Sequence, residues 1–265
     1  MVAPRATSLR RGTEILIALG SDEAVEHGGL GVVRIAELVG REKSQVSRAL
    51  SALAASGMVD RDPASRAYRL GWRLYALAAR SGRPRLIALG GSVLHELVAE
   101  SGETAHLSVL QGGEVMTLLS EAPAYAITAN GWSGRTVPVI CTSAGRALLF
   151  DHDLPTLEKL LRPASFAGLG PGAPSDVTEL YRRIEAGRDR GYATVDEEFE
   201  DGLVGVAAPV RDLGGRILAA INVSGPKFRL GGQLSATGEA VRDAAQDLSD
   251  AMFSPSDAAG TRKAG

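Results

Sequence analysis

The sequence predicts an α+β chain in two parts: a small helical head and a larger body of strands and helices. Three observations carry that expectation. From Gly28 to Leu70, two short amphipathic stretches on either side of a glycine turn run into a brief hairpin pattern. Beyond Leu86, apolar runs bounded by glycine-containing turns alternate with stretches of helical period. Charge divides along the same line. Residues 1–85 hold 14 Lys and Arg against 8 Asp and Glu, a net of +6, whereas the remainder holds 15 against 23, a net of −8. A basic head on an acidic body suits a protein whose head meets a polyanion while its body does something else.

After a start over 1–7 that is expected to lack order, Ser8 to about Gly20 places Leu9, Thr13, Leu16 and Ile17 at the spacing of one helix face. Asp22 to Gly31 reads as a polar loop with a Gly28-Gly29 turn. A helix over about Val33–Val39 ends at Gly40, and the next begins near Glu42 and stops at Ser56-Gly57, glycine being a usual terminator. On that helix Val46, Ala49, Leu50, Leu53 and Ala54 form a stripe for a core, opposite Ser44, Gln45, Arg48 and Ser51. Met58–Arg61 and Ala67–Leu70 flank Asp62-Pro63-Ala64-Ser65 as two short strands, a wing. Helix, tight turn, helix and wing in this order put one helix in a DNA groove with a basic hairpin on the backbone beside it.

A connecting helix follows over Gly71–Ser81, broken at Gly82-Arg83-Pro84. The body opens with a helix that should bury Ile87, Leu94, Leu97 and Val98 and stop at Ser101-Gly102. Strands are expected over Ala105–Leu110, Glu114–Leu119 and about Ala124–Ala129, then Thr136–Cys141 leading into a helix over Ser143–Phe150. A short helix near Leu154–Leu161 precedes a Gly/Pro-rich loop, and Asp176 with Glu179 resembles a capping box that opens a helix to about Arg190. Tyr192–Val195, Val204–Val210 and Arg216–Val223 read as strands, and about Leu234–Met252 as a last helix.

At 265 residues there is room for one small and one mid-sized domain, each with its own core. No apolar run approaches the ~18 residues needed to cross a bilayer. Arg10-Arg11 is followed by Glu14 and helical periodicity rather than by the apolar block of a signal peptide. A single cysteine, Cys141, excludes an internal disulfide framework and a cysteine-based metal cluster, so a reducing cytoplasm is the expected location.

Several features invite a chemical reading, and each is weaker than its plain alternative. Asp196, Glu197, Glu198, Glu200 and Asp201 form the densest acidic run, but no histidine neighbours it and such loop carboxylates are usually solvated. His95 and His106 are too few for a metal site. Cys141 paired with His152 would need an oxyanion site that the sequence does not display, so Cys141 reads as a small buried apolar residue. Gly168-Leu-Gly170-Pro-Gly172 has the wrong spacing for a phosphate loop. No catalytic residue, metal or cofactor is therefore expected, and the chain is expected not to be an enzyme.

The blocks Arg11-Gly-Thr-Glu-Ile-Leu16, Lys43-Ser-Gln-Val-Ser-Arg-Ala-Leu50 and Tyr68-Arg-Leu-Gly71 stand in the head. The body holds Ser143-Ala-Gly-Arg-Ala-Leu-Leu149, Gly191-Tyr-Ala-Thr-Val-Asp-Glu-Glu-Phe-Glu-Asp-Gly202, Val206-Ala-Ala-Pro-Val210 and Ser224-Gly-Pro226. In this order and spacing they resemble the IclR-type bacterial transcriptional regulators over nearly the whole chain. The resemblance implies a winged helix-turn-helix domain over 8–70, a linker helix over 71–85 and a GAF-like effector domain over 86–252, followed by a disordered tail over 253–265. The effector domain would hold an antiparallel sheet flanked by helices and a small-molecule cavity. A homodimer or dimer of dimers would act on double-stranded promoter DNA, with no membrane contact, and a metabolite in the body would alter operator binding.

On the head, Lys43, Ser44, Gln45, Ser47 and Arg48 stand at the start and exposed face of the helix whose leading turns would reach base edges. Gln suits adenine, Arg suits guanine, and Ser and Lys favour phosphate. Arg41, with Arg61, Arg66 and Arg69 of the wing, is the expected hold on phosphates. In the body the resemblance carries Ala126, Ala129, Ser143, Ala144, Val195, Leu203, Gly205, Asn222 and Ser224 to the effector cavity. Amides opening the Ser143 helix would suit a carboxylate, and the expected effector is an organic acid or an aromatic metabolite. Val195 stands where the family often has a polar or acidic residue and Gly205 where it often has a cysteine, so a roomier, more apolar pocket is expected. Two other functions stay open: a constitutive DNA-binding protein whose body only oligomerises, and an enzyme whose helical head serves assembly.

Overall fold

Apolar spacing decides which helix faces meet. The computed structural model describes residues 8–78, 84–124, 132–161 and 166–253. The ends expected to lack order, the helix break at Gly82-Arg83 and all but Ala124 of the strand expected near 124–129 lie outside them. The chain divides into two compact units, one ending at Pro84 and the other beginning at Arg85.

In the first unit α1 (Ser8–Leu19), α2 (Asp22–Glu26), α3 (Val32–Leu38) and α4 (Lys43–Ala55) precede the antiparallel pair β1 (Val59–Arg61) and β2 (Tyr68–Leu70). Ile15, Leu19, Ile35, Val46, Leu50 and Val59 share its core. The buried stripe on α1 is therefore Ile15 and Leu19, whereas Leu9 and Ile17, expected inside, are exposed. Asp22–Glu26 is a helical turn rather than loop. Ser21 Oγ accepts the Ala24 amide, and Asp22 and Glu23 fall where a helix N-terminus favours negative charge. The connecting helix α5 covers Trp72–Ala78 and exposes Trp72 and Tyr75, whose rings meet edge to face.

The second unit is a six-stranded antiparallel sheet in the order β5-β4-β3-β8-β7-β6. Its strands are β3 (Thr104–Gln111), β4 (Glu114–Glu121), β5 (Thr136–Pro138), β6 (Ala193–Asp196), β7 (Leu203–Arg211) and β8 (Ile217–Pro226). Helices α6 (Pro84–Ser101) and α11 (Leu234–Phe253) bury Leu86, Leu94, Leu97, Val241 and Leu248 against Leu107, Val206, Ile221 and Val223 of one face. Leu86 takes the buried position expected of Ile87, which stays exposed. The other face carries α7 (Ser143–Leu148), α8 (Leu154–Leu160) and α9 (Val177–Arg190), with Ala147, Leu157, Leu180 and Ile184 packed against Ala193, Ala207 and Ala220. A short α10 (Lys227–Leu230) joins β8 to α11. The capping box on α9 is offset by one residue: Asp176 accepts the Glu179 amide, but Glu179 reaches back to the Ser175 amide.

The acidic run departs most from expectation, because it is not simply solvated. Glu198 is buried and accepts both terminal nitrogens of Arg146, itself buried on α7, with one contact at 3.0 Å. Arg183 of α9 adds a second cation at 3.0 Å. The Gly/Pro-rich loop passes beneath: Gly170 and Gly172 donate to the carbonyls of Glu198 and Glu197, each at 2.9 Å. A Cβ would stand 2.2 Å from the Glu197 oxygen at position 170 and 2.1 Å from the Asp196 oxygen at position 172, so only glycine fits either. Asp196 and Glu197 pair with Lys227.

Removing one partner of a buried pair strands the other charge. Glu198→Ala is expected to cost about 3–5 kcal/mol in urea unfolding, whereas Glu200→Ala, exposed in the same run, should change stability little. Equal small losses in both would show that water replaces the Glu198 carboxylate.

Candidate functional site

The head presents a polar face held by an apolar one. Val46 and Leu50 fix α4 in the core, which leaves Lys43, Ser44, Ser47 and Arg48 exposed and Gln45 half-buried. In the wing, Asp62 accepts the Ala64 and Ser65 amides and the Ser65 hydroxyl at 2.7–3.0 Å. The Ser65 bonds lead in holding its carboxyl below the usual range. That loop sets out Arg61, Arg66 and Arg69, all exposed, with Arg61 lying over the Tyr68 ring at 5.3 Å. Arg41 is placed differently. It meets Glu14 of α1 at 3.4 Å and is half-buried, so it ties α1 to the turn before α4.

The body holds a half-open cavity of about 280 Å³ between the sheet and α7. Alternation along the strands builds its floor. Ala105, Leu107, Ile221 and Val223 point to the α6/α11 side, while Thr104, His106, Ser108, Asn222 and Ser224 point the other way into the cavity. Register joins these polar residues in rows. Thr104 pairs with Ser224 and His106 with Asn222 across β3 and β8, Ser108 pairs with Thr117 on β4, and Ser224 pairs with Gly205 on β7. Val195, Phe199, Leu203, Val137 and Trp132 supply apolar walls.

Seven of the nine body residues named from the sequence therefore meet at one cavity: Ser143, Ala144, Val195, Leu203, Gly205, Asn222 and Ser224. Ala126 and Ala129 lie outside the described residues. Sequence reasoning missed Glu103, His106, Ser108, Thr117 and Arg229. A signal existed in Thr104-x-His106-x-Ser108, polar residues at every second position of an otherwise apolar interior strand.

Apolar surface outweighs polar in the cavity's lining, and hydroxyls, an amide and an imidazole along the floor supply the polar part. Gly205 does not simply add room. A Cβ there would already stand 3.1 Å from Ser143 Oγ and 3.4 Å from Ser224 Cβ, so α7 has closed over the space that a side chain would occupy. Of the residues opening α7, Ser143 and Ala144 are shielded from bulk solvent but line the cavity, and Thr142 Oγ1 takes the Gly145 amide at 3.1 Å.

The ionisable groups here are mostly silent. Burial pushes His106 down to about 4 and the Cys141 thiol up to about 11, so both are neutral near pH 7. A thiol so raised is a poor nucleophile. Glu103, buried, accepts Nε and Nη2 of Arg229 at 2.5 and 2.8 Å at the cavity edge. His95 stands apart from His106, exposed and 3.2 Å from Glu121. Among the described residues no cluster of His, Cys, Asp and Glu could hold a metal ion, and no helix is long and apolar enough to cross a membrane.

Comparison with known proteins agrees with both units. The family model described as "IclR helix-turn-helix domain" matches residues 8–63, and "Bacterial transcriptional regulator IclR C-terminal" matches residues 82–250. The chain is 33% identical to the HTH-type transcriptional regulator BhcR of Paracoccus denitrificans over 87% of this chain and 83% of that protein. An IclR-type regulator from Alicyclobacillus acidocaldarius superposes with a TM-score of 0.74 at 25% identity, covering 95% of this chain and all of that one. An IclR homologue from Microbacterium hydrocarbonoxydans, crystallised with 4-hydroxybenzoate, superposes at 0.78 with 24% identity, covering 93% of this chain and 99% of that one. The α+β architecture with a helix-turn-helix head is thus the fold of solved IclR structures.

His106 sets an acid limit on the body. Its folded value near 4 lies below the ordinary 6.5, so between these the unfolded chain binds more protons and stability falls as pH falls. Acidification from pH 7 to pH 5 should cost about 2 kcal/mol through this group alone. Urea unfolding of His106→Phe at the two pH values should lose that increment; an unchanged acid sensitivity would place its origin elsewhere.

Proposed function

The chain belongs to the IclR family of bacterial transcriptional regulators, and from that premise we propose that a small-molecule effector in the body cavity modulates how its head binds an operator. The observation that carries this reading is convergence. Residues far apart in the chain, from Glu103 to Arg229, face one half-open cavity whose walls are apolar and whose floor can form hydrogen bonds. The 4-hydroxybenzoate complex of the Microbacterium hydrocarbonoxydans homologue supports a ligand of this size class, an organic acid or an aromatic metabolite.

In this reading the head (8–70) binds promoter DNA in the cytoplasm, 71–85 links, and the body (86–252) senses. Lys43, Ser44, Gln45, Ser47 and Arg48 enter the major groove, and Arg61, Arg66 and Arg69 hold phosphates. Arg41 has the smaller part, since it is half-buried and turned toward Glu14. The exposed Trp72 and Tyr75 support pairing of two linker helices in a homodimer, alone or as a dimer of dimers. Two-fold symmetry would then read half-sites one helical turn apart, about 34–36 Å, or a multiple. The body is a sensor and not a catalyst, a reading favoured by a neutral imidazole and an un-ionised thiol in the cavity.

Binding to the chain's own upstream DNA, measured against scrambled duplex, should show specificity. Gln45→Ala or Arg48→Ala should each cost about 1–3 kcal/mol of discrimination. Arg69→Ala should instead weaken binding to all sequences and flatten the salt dependence by about 0.9 log unit per log unit. No preference for the upstream DNA would overturn the reading of the head.

A coupling of roughly 1–3 kcal/mol should link effector and operator binding. Across a broad metabolite panel, some compound should therefore shift operator affinity of the wild type by about 5–150-fold. Ser143→Trp, which fills the cavity, should keep operator affinity and lose that shift. Unvarying affinity in the wild type, or a response that survives Ser143→Trp, would favour a constitutive DNA-binding protein whose body only oligomerises.

A further inference from the structure

Among the described residues, the buried side-chain atoms without a hydrogen-bond partner are nitrogens of Arg11, Arg41, Arg146, His106 and His152. Of these residues only His106 lines the cavity. Its side chain is 8% exposed, its Nδ1 has no partner, and its ring meets Trp132 edge to face at 6.2 Å. A buried imidazole costs free energy until something bonds it.

The surroundings say what that something is. Just before β3 and on α10, Glu103 and Arg229 neutralise one another. On the α7 side, Cys141 is un-ionised, and Glu198 behind it is committed to Arg146. Glu121 of β4 pairs in register with Ala105 and so stands on the opposite face with His95. Among the described residues that line the cavity, the one cation, Arg229, is committed to Glu103, so an anion delivered to His106 would be buried without a counter-charge. Neutral partners are plentiful: Asn222 lies across from His106, and Ser108 and Thr117 form the next row. A hydroxyl both donates and accepts, so it serves either imidazole tautomer and either ring orientation. The walls of Val137, Phe199, Leu203 and Trp132 call for an apolar body. An apolar cavity of about 150 Å³ accommodates benzene, and about 280 Å³ suits one substituted ring.

Resting on the reading of this cavity as the effector site, we propose that His106 is a specificity-determining residue: it bonds an uncharged hydroxyl carried on a flat apolar body, and it excludes a carboxylate from that end of the cavity. The ligand class is therefore a phenol or a small aromatic alcohol presented hydroxyl first.

Phenol and benzoate, titrated calorimetrically into the full-length protein, test the assignment. Phenol should bind about tenfold or more tighter than benzoate, because a buried site made for a hydroxyl rejects the wrong group. Its affinity should stay constant from about pH 6 to pH 8, without the proton uptake that an anion beside His106 would impose. His106→Phe should weaken phenol by about tenfold or more, and His106→Gln, which keeps a neutral donor and acceptor, should recover most of it. Benzoate binding as tightly as phenol, phenol binding unaffected by His106→Phe, or no binding of either at millimolar concentration would each overturn the proposal. A carboxylate-only response that Ser143→Trp abolishes would remove His106 as the selector while leaving the sensor reading intact. The sensor reading falls only with the metabolite panel against operator DNA.

Discussion

The buried contact between Arg146 and Glu198 is the constraint around which the body is arranged. Taking two charges out of water is costly, and here the cost is offset by a bidentate geometry, by Arg183 as a second cation and by an added bond from Arg146 to the Thr194 carbonyl. The pair joins α7 to the 196–201 loop. These two elements carry Ser143 and Ala144 on one side of the cavity and Phe199 on another. Arg183 extends the tie to α9 and, through the Gly172 carbonyl at 2.7 Å, to the glycine strap beneath the loop. Walls from separate parts of the chain therefore hold a fixed spacing around a space that contains no protein.

Against this clamp, the sheet supplies chemistry by alternation alone. One face of β3 and β8 is given to a dry core and the other to hydroxyls, an amide and an imidazole. Polar residues on interior strands are destabilising in an apolar core and are tolerated where they face a cavity that can be filled. The body thus separates the residues that hold the sheet together from those that line the cavity, although they are neighbours in sequence.

Much of this was legible in the chain. The 3.6-residue stripe of α4 and the Asp62 turn predicted the head, and the strand pairs around Gln111-Gly112-Gly113 and Gly214-Gly215 stand where their turn chemistry placed them. What could not be read were choices that depend on partners. Leu9 and Leu16 both lie on an apolar face of α1, yet Ile15 and Leu19 are the buried pair, because the direction of α3 and α4 decides which face is covered. Glu198 is indistinguishable in sequence from Glu197 and Glu200 until Arg146 is folded opposite it. Gly205 illustrates the same limit: the missing side chain suggested space, whereas Ser143 Oγ stands 3.1 Å from where a Cβ would be. Arg41 looked like one more exposed cation, and only tertiary packing gives it Glu14.

The chain contains two tryptophans, and the fold gives them separate duties. Trp72 stands in solvent on the connecting helix, while Trp132 borders the cavity beside His106, its turn pinned to β4 by the Thr117–Arg135 and Gly134–Thr117 bonds. Each part of the molecule consequently carries its own intrinsic fluorophore. Quenching or a spectral displacement from the indole at the pocket reports occupancy, and the indole on the connector reports what happens to that helix. Events at the two places can be timed against each other without attaching a dye.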